Sequence, residues 1–229
     1  MTDAFPTDDE REFGYVMAKL TLGAVPGVGP AAQELLEKAV GNPLRRRQEA
    51  WFASLAAALE DLAAKVEGFD PEVLAQDEVF VSTVARATQL ALATHGQTRR
   101  EALRNIVLNT AGQVRLDEAM LGTFLSYVER FSEAHLKLLT LLGDPMADPG
   151  YARKARSISL GGSVHGLIQS VHPDLAQSEE LLDRLHEDLL REGLVNKGFK
   201  DMTSADGLQS PKVTAAGAAF LNFIRQPQT

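Results

Sequence analysis

Residues 212–224 read KVTAAGAAFLNFI, a short extended piece that leads into an apolar stretch with helical spacing. Thr214 stands where that stretch begins, and its hydroxyl can accept a hydrogen bond from the free N–H groups of a first helical turn. The apolar residues that recur along one predicted face are Ala218, Phe220, Leu221 and Ile224. This spacing predicts an extended segment followed by a final helix with one buried face.

The residues before this stretch predict two more helices and a loop. Residues 157–171 (SISLGGSVHGLIQSV) predict a short strand or turn that enters a helix, and residues 178–193 (SEELLDRLHEDLLREG) predict an amphipathic helix capped by Ser178. Leu194–Val195 are a short extended piece, and residues 196–211 are polar and rich in turn-forming residues.

This order resembles a winged-helix domain over residues 157–226. Members of that family commonly follow their third helix with a two-stranded hairpin and a segment of the form hydrophobic–Thr–x–x–Gly–x–x–Phe/Leu. The residues that match this form are Val213, Thr214, Gly217, Phe220 and Leu221. The resemblance implies a small α+β domain whose third helix is residues 178–192, and it implies no function by itself.

The chain before residue 143 predicts only helices. Asn42–Pro43 and Asp70–Pro71 each combine a capping residue with proline at the first helical position, and Gly41 is expected to end the helix before the first of these signals. The helix from Asp70 is expected to run to about His95, and the apolar spacing from Asp117 to Leu142 predicts one long helix.

These patterns predict a mainly α protein, with an N-terminal antiparallel bundle of five or six helices and a small winged-helix-like α+β domain. The expected domains are an acidic helical bundle at residues 1–143, a linker at residues 144–157, and the winged-helix-like domain at residues 158–229. The linker is expected because GDPMADPGYARKARS contains two prolines and two glycines before the composition changes.

The distribution of charge argues against a nucleic-acid-binding surface. The net charge of −8 belongs to residues 1–150, whereas residues 151–229 carry nine basic and nine acidic residues. The predicted third helix is itself acidic, and Coulomb repulsion opposes its entry into a DNA groove. If the domain nevertheless bound DNA, the lysines of the predicted wing would make the contacts. These are Lys197, Lys200 and Lys212.

Three groups of basic residues are candidates for binding an anion or an acidic partner. The densest is Arg45–Arg47, for which the alternative is a solvated helix face with intrahelical partners such as Glu49. The second is Arg99 and Arg100, and the third consists of Arg153, Lys154 and Arg156.

No residue pattern in the chain predicts catalysis, a cofactor or a metal. The absence of cysteine excludes disulfides and thiolate chemistry, and the stretch GAVPGVGPA lacks the Gly-Lys-Ser/Thr ending of a phosphate-binding loop. Residues 161–166 (GGSVHG) hold His165 where a nucleophile elbow needs glycine. The five histidines form no zinc-protease spacing, although His165 and His172 could meet in space. We therefore expect a protein that is not an enzyme.

Residues 13–32 carry Lys19 as their one charge, so residues 13–40 are a candidate membrane contact, although their glycines and prolines favour a buried helix–helix corner. The VPGVG corner, the proline-started helix with Arg45–Arg47 and the following all-α region resemble abortive-infection alpha proteins of bacterial phage defence. That resemblance implies an intracellular bacterial protein that acts through a partner or a membrane. The acidic N-terminus is not a secretory signal, which favours a cytoplasmic location.

The sequence therefore favours a non-enzymatic interaction or regulatory protein that binds a protein partner or self-associates, with the winged helix used for protein contacts. Two alternatives stay open. One is a winged-helix transcription regulator that binds DNA, and the other is a membrane-active defence effector that uses the apolar N-terminal helices.

Overall fold

The computed structural model describes residues 30–112 and 117–227, with residues 30–42 as backbone only. This part of the chain is mainly α, as predicted. Its α-helices are α1 (Pro30–Ala63), α2 (Pro71–Leu74), α3 (Glu78–Ala93), α4 (Gln97–Ala111), α5 (Glu118–Arg130), α6 (Glu133–Gly143), α7 (Pro149–Arg156), α8 (Val164–Val171), α9 (Glu179–Arg191), α10 (Ala205–Gln209) and α11 (Ala215–Ile224). A 3-10 helix at Pro145–Ala147 precedes α7.

Within residues 30–112 and 117–227, β-structure is limited to two isolated antiparallel bridges, Gly162 with Thr203 and Val195 with Val213. Val195 and Val213 lie where the sequence predicts short extended pieces, and Gly162 lies in the predicted strand or turn before a helix, whereas Thr203 lies in the stretch predicted as a polar loop. Because neither bridge extends into a strand, the α+β character expected of residues 158–229 stays a prediction.

The first difference from the sequence prediction concerns α1. The signal at Gly41, Asn42 and Pro43 does not separate two helices, because α1 continues through it with Pro43 inside the helix. Proline in a helix interior removes one backbone hydrogen bond and costs about 3 kcal/mol. After Pro43 the helix buries Trp51, Leu55 and Leu62.

Two further differences arise at capping residues. The single helix expected from Asp70 to His95 is divided into α2 and α3 at Asp77, whose carboxylate accepts a hydrogen bond from Phe80 N. The long helix expected from Asp117 to Leu142 is divided into α5 and α6 at Phe131–Ser132. In both places a side chain that satisfies free N–H groups starts a new helix inside an apolar pattern that continues across the break.

The chain divides into two compact units, Met1–Ala57 and Ala58–Thr229. The predicted domain boundaries at residues 143 and 157 both lie inside the second unit. The residues between them, expected as a linker, form the 3-10 helix and α7. Tyr151 of α7 is 1% exposed, and its hydroxyl donates a hydrogen bond of 2.9 Å to Leu208 O. Burial raises the pKa of Tyr151 to about 12.

The last helix, α11, packs on α4 and α6 and joins the C-terminal region to the preceding helices. Its Phe220 ring lies 5.2 Å from Phe124 and 5.4 Å from Tyr127 of α5, centroid to centroid. Asn109 of α4 donates from Nδ2 to the carbonyl oxygens of Phe223 and Arg225, at 2.8 and 2.9 Å. These buried side-chain bonds satisfy carbonyls at the end of α11 that have no intrahelical partner.

The segment that opens α11 is held to the end of α9 at very close range. Thr214 Oγ1 accepts a hydrogen bond from Gly217 N and donates one of 2.6 Å to Gly193 O. A Cβ atom on Gly217 would lie 2.0 Å from Leu194 O, which is too close for any side chain. The Thr–x–x–Gly spacing noted in the sequence therefore has a packing cause: the first turn of α11 lies against the Leu194 backbone.

Candidate functional site

The predicted third helix is α9, and part of its surface is occupied by the preceding helices. Glu192 Oε1 accepts a hydrogen bond of 2.8 Å from Arg130 Nη1 at the end of α5. Asp188 Oδ2 lies 3.4 Å from Nε2 of His135 on α6. These contacts hold one side of α9 against α5 and α6.

Lys200, in the predicted wing, forms ion pairs with two carboxylates of α9. Its ammonium donates to Asp183 Oδ2 at 2.6 Å and to Glu179 Oε1 at 3.1 Å. Hydrogen bonds to Asp183 and then Glu179 raise the pKa of Lys200 above 10.5. A lysine that is engaged with two carboxylates of the same domain contributes little attraction to a polyanion.

The two other predicted wing lysines lie near the ends of the irregular segment between α9 and α11. Lys197 is exposed, and Lys212 is half-buried. Asn196 N donates a hydrogen bond of 2.8 Å to Lys212 O, and Lys212 N donates one of 2.8 Å to Leu142 O in α6. These backbone bonds bring residues 196 and 212 together and hold Lys212 on the end of α6.

The predicted basic groups lie on separate helices. Arg45, Arg46 and Arg47 are exposed on α1, where Arg45 Nε lies 3.8 Å from Glu49 Oε1, the intrahelical partner anticipated from the sequence. The other two groups lie in the second unit. Arg99 and Arg100 are half-buried in the first turns of α4, whereas Arg153, Lys154 and Arg156 are exposed near the C-terminus of α7. Cations at that helix end are stabilised by its dipole, so they have a structural role that requires no ligand.

The feature that the sequence did not indicate is an acidic cleft of about 630 Å³ in the second unit. It is lined by α6, the 3-10 helix, the start of α7 and the loop between α8 and α9. Its carboxylates are Glu133, Asp144, Asp148 and Asp174. The buried leucines Leu136, Leu141 and Leu175 form part of its apolar lining.

Several polar groups of the acidic cleft are held in place by local contacts. Asp148 caps α7 by accepting a hydrogen bond of 2.6 Å from Tyr151 N, and its Oδ1 lies 3.4 Å from His172 Nε2. Lys137 and Asp174 form an ion pair across the cleft wall, and this bond lowers the pKa of Asp174 below its usual value. Four carboxylates against one lysine leave the cleft with an excess of negative charge at neutral pH.

Glu133 links the cleft to α4. Its Oε1 accepts a hydrogen bond of 3.0 Å from Thr98 N in the first turn of that helix. Asp144 is exposed at the end of α6, as are Glu133 and Asp174 in their own segments. An acidic rim over buried leucines matches a segment that presents both lysine or arginine and apolar side chains.

The sequence analysis selected basic residues as candidate functional residues, whereas the structure brings acidic residues together in one cleft. The cleft carboxylates come from chain segments up to 41 residues apart, between Glu133 and Asp174. Three of them stand at helix ends, where an acidic residue is ordinarily a cap or a turn residue. No spacing along the sequence could therefore have separated them from ordinary capping residues.

The membrane contact expected of residues 13–40 concerns residues that are mostly outside the described part of the chain. Among the helices within residues 30–112 and 117–227, none combines the length and the apolar character needed to cross a bilayer.

Comparison with known proteins identifies no relative: no protein-family model, curated protein or solved structure matches the chain. The resemblances to winged-helix domains and to abortive-infection alpha proteins therefore stay predictions.

Proposed function

We propose that the chain is a non-enzymatic interaction protein whose winged-helix-like C-terminal region serves protein contacts, and that its acidic cleft binds a basic amphipathic segment of a protein partner. The observation that carries the proposal is the combination of Glu133, Asp144, Asp148 and Asp174 with buried leucines in one cleft of about 630 Å³. A partner segment would place apolar side chains on the leucines and cations at the rim.

The winged-helix-like arrangement is supported by the order of elements. Helices α7, α8 and α9 are followed by an irregular wing and then by α11. The two sides of the wing meet at the Val195–Val213 bridge, and the Gly162–Thr203 bridge attaches the wing to the segment before α8. In this arrangement the loop between α8 and α9 forms one wall of the acidic cleft, so the C-terminal region takes part directly in the proposed contact.

The charge of the same region disfavours the alternative of a DNA-binding regulator. Glu180 and Glu187 are exposed on α9, and Lys200 is engaged by Glu179 and Asp183. A DNA-reading helix needs cations or amides toward the groove, and repulsion between carboxylates and phosphates opposes binding. The resemblance to abortive-infection proteins would make bacterial phage defence the setting of the interaction, and a second copy of the chain is one possible partner.

The test measures binding of a fluorescein-labelled amphipathic peptide made of lysine, leucine and alanine, by fluorescence anisotropy. We expect saturable binding that is weakened by salt, and about a tenfold loss of affinity for Asp144→Arg, because a cation at the rim repels the peptide. The matched control is Glu67→Arg, which makes the same charge change at an exposed position outside the cleft.

Equal loss in both variants would show attraction to net charge alone and would contradict a role for the cleft. A labelled DNA duplex at about 50 mM salt tests the alternative, since electrostatic DNA binding is strongest at low ionic strength. Retention of the duplex, with a loss of binding in a Lys197→Glu variant, would favour the regulator instead.

A further inference from the structure

A histidine and two carboxylates converge at the junction of α8, α9 and the wing. Nε2 of His165, a carboxylate oxygen of Glu179 and a carboxylate oxygen of Asp183 all lie within 4.8 Å of one another. His165 is in the first turn of α8, and the two acidic residues are one helical turn apart on α9. The three donors therefore come from two rigid helices, which is the kind of support that a defined metal site requires.

His165 is the residue that distinguishes this cluster from an ordinary acidic surface. It is 6% exposed, and Nε2 lies 3.3 Å from Asp183 Oδ1. Within the described part of the chain, no group forms a hydrogen bond with this nitrogen. A buried polar nitrogen without a hydrogen bond costs about 1–3 kcal/mol, and a cation between the nitrogen and the carboxylates would remove that cost.

A cation already lies against the two carboxylates. The Lys200 ammonium is 2.6 Å from Asp183 Oδ2 and 3.1 Å from Glu179 Oε1. Lys200 is exposed, so it can leave for solvent without disturbing the packing. The Lys200 ammonium bonds to the two carboxylates and leaves His165 Nε2 without a hydrogen bond, whereas a metal ion can coordinate all three donors at once.

We propose that His165, Glu179 and Asp183 form a binding site for a divalent transition-metal ion of the zinc class, which displaces Lys200 from the two carboxylates. One imidazole and two carboxylates favour Zn²⁺ over Mg²⁺ or Ca²⁺, because the latter prefer oxygen donors alone. Three protein donors leave one position of a tetrahedral ion for water or for a group of another molecule.

The proposal is independent of the proposed function, because it concerns α8, α9 and the wing rather than the acidic cleft. Metal binding would release the Lys200 side chain and would replace one monovalent cation by a divalent one. The side chain of Phe199, next to Lys200, packs between His165 and His186, with ring centroids 5.3 and 4.2 Å away. The wing is thus anchored by Phe199 whether or not Lys200 is engaged.

The test is titration of the full chain with ZnCl₂ by isothermal calorimetry, with CoCl₂ as a spectroscopic probe of nitrogen and oxygen coordination. We expect one ion per chain, and a loss of affinity of at least about tenfold in both Asp183→Asn and Glu179→Gln, because each change removes an anionic donor. Two donor variants guard against a folding defect in one of them, and far-UV circular dichroism checks both.

A second pair of variants tests the role of Lys200. Lys200→Met is expected to tighten Zn²⁺ binding about threefold to tenfold, because the metal no longer competes with an ammonium. Lys197→Met, a change of the same kind on the same wing, should leave the affinity unchanged. His172→Gln should also leave it unchanged, since that histidine belongs to the acidic cleft.

Two results would overturn the proposal. One is the absence of saturable Zn²⁺ binding in both the natural chain and Lys200→Met. The other is binding that survives both donor variants or is lost in His172→Gln, because the ion would then lie elsewhere. Neither result bears on the binding of the basic peptide, so a failure here is distinguishable from a failure of the proposed function.

Discussion

Gly217, at the start of α11, has no room for a side chain. A Cβ at this position would lie 2.0 Å from a backbone oxygen, that of Leu194, which no side-chain movement can relieve. We expect Gly217→Ala to lower the free energy of unfolding by about 1–3 kcal/mol or more, as for overpacked cores. Chemical denaturation measures this change.

The matched control for that substitution is Gly122→Ala in α5, where an added Cβ meets nothing within 4 Å. Alanine is the better helix former, so the control should gain about 0.5–1 kcal/mol. A gain in both variants would mean that helix propensity rather than the contact with Leu194 decides the outcome, and a similar loss in both would also contradict the role of that contact.

Asn109 is the residue that fixes the end of α11 from inside α4. Asn109→Ala leaves the Phe223 and Arg225 carbonyls without their side-chain donor, and we expect a loss of at least about 1–3 kcal/mol in the free energy of unfolding. Asn222→Ala, an exposed asparagine on α11 itself, should change it by less than about 0.5 kcal/mol. Equal effects at the two positions would argue against the role of these bonds.

The sequence contains a recognisable pattern around Gly217 but none around Asn109. The spacing of Val213, Thr214 and Gly217 was visible, and its pattern predicted the capped start of the last helix. Asn109 gave no comparable signal, because the two partners at the end of α11 are carbonyl oxygens more than 110 residues away. Backbone acceptors are present at every residue, so a side-chain donor cannot be matched to them along the chain.

The positions of the helix ends were the least predictable feature at the level of single elements. Apolar periodicity joined α2 to α3 and α5 to α6, since apolar residues recur at helical spacing in the sequence across each break. Asp77 and Ser132 decide the breaks by capping, which is a local hydrogen bond of about 1 kcal/mol. At Pro43 the difference has the opposite sense: the sequence predicted a new helix there, whereas α1 runs through Pro43 without a break.

The start of α6 contains a pH-sensitive cap. Ser132 N donates to His135 Nδ1 at 3.2 Å, and His135 N donates to Ser132 Oγ at 3.4 Å, which together form a capping box. The box needs an unprotonated Nδ1. Burial lowers the pKa of His135 below 6.5, against the raising effect of the Asp188 carboxylate. The folded protein therefore holds this histidine neutral.

The sign of the pH effect follows from that shift. Above pH 6.5 His135 is neutral in both states, and its contribution to stability is constant. Below pH 6.5 the unfolded chain binds the proton first, so the free energy of unfolding falls until the lower, folded pKa is passed. Denaturation curves between pH 8 and pH 5 are expected to show this loss, at no more than about 1.4 kcal/mol per pH unit from this group.

His135→Gln is the variant that isolates the effect. Glutamine at this position of a capping box can accept the same backbone hydrogen bond and does not titrate. The variant should match the natural chain at pH 8 within about 1 kcal/mol and should lose less stability on acidification. Parallel curves for the two proteins would contradict the assignment to His135.

At the scale of the whole molecule, the residues expected to link two domains are part of the larger unit. Tyr151, Ala152 and Ala155 of α7 are buried, although Arg153, Lys154 and Arg156 offer trypsin three sites. In limited proteolysis we expect cleavage at Lys197 or Lys200 of the wing before any cleavage in residues 144–157, because a packed helix must open before a protease can act. A first cut within residues 144–157 would support the prediction that these residues are a linker.

The positive control for the proteolysis is Ala155→Glu, which places a carboxylate at a fully buried position. The buried charge should detach α7 from the helices it packs on, so that trypsin cleaves early at Arg153, Lys154 and Arg156. Mass spectrometry of the fragments identifies the order of cleavage in both proteins.

Composition and periodicity were enough to predict a mainly α chain and the acidic character of α9. They could not predict the acidic cleft, because its wall residues are brought together only by the packing of α6 against the loop after α8. The same is true of His165, Glu179 and Asp183, where the histidine is 14 residues before the first carboxylate. Both sites are formed by tertiary packing, which the spacing of residues along the chain does not reveal.

The most direct test of the account is a pair of two-dimensional NMR titrations of the ¹⁵N-labelled chain, one with the basic amphipathic peptide and one with a DNA duplex. We predict that the peptide shifts the amide signals of Thr98, Thr140, Asp144 and Leu175, which line the acidic cleft, and leaves those of Lys197 and Lys200 in place. Shifts confined to the wing and to α9 on addition of DNA, with none in the cleft on addition of peptide, would contradict the account.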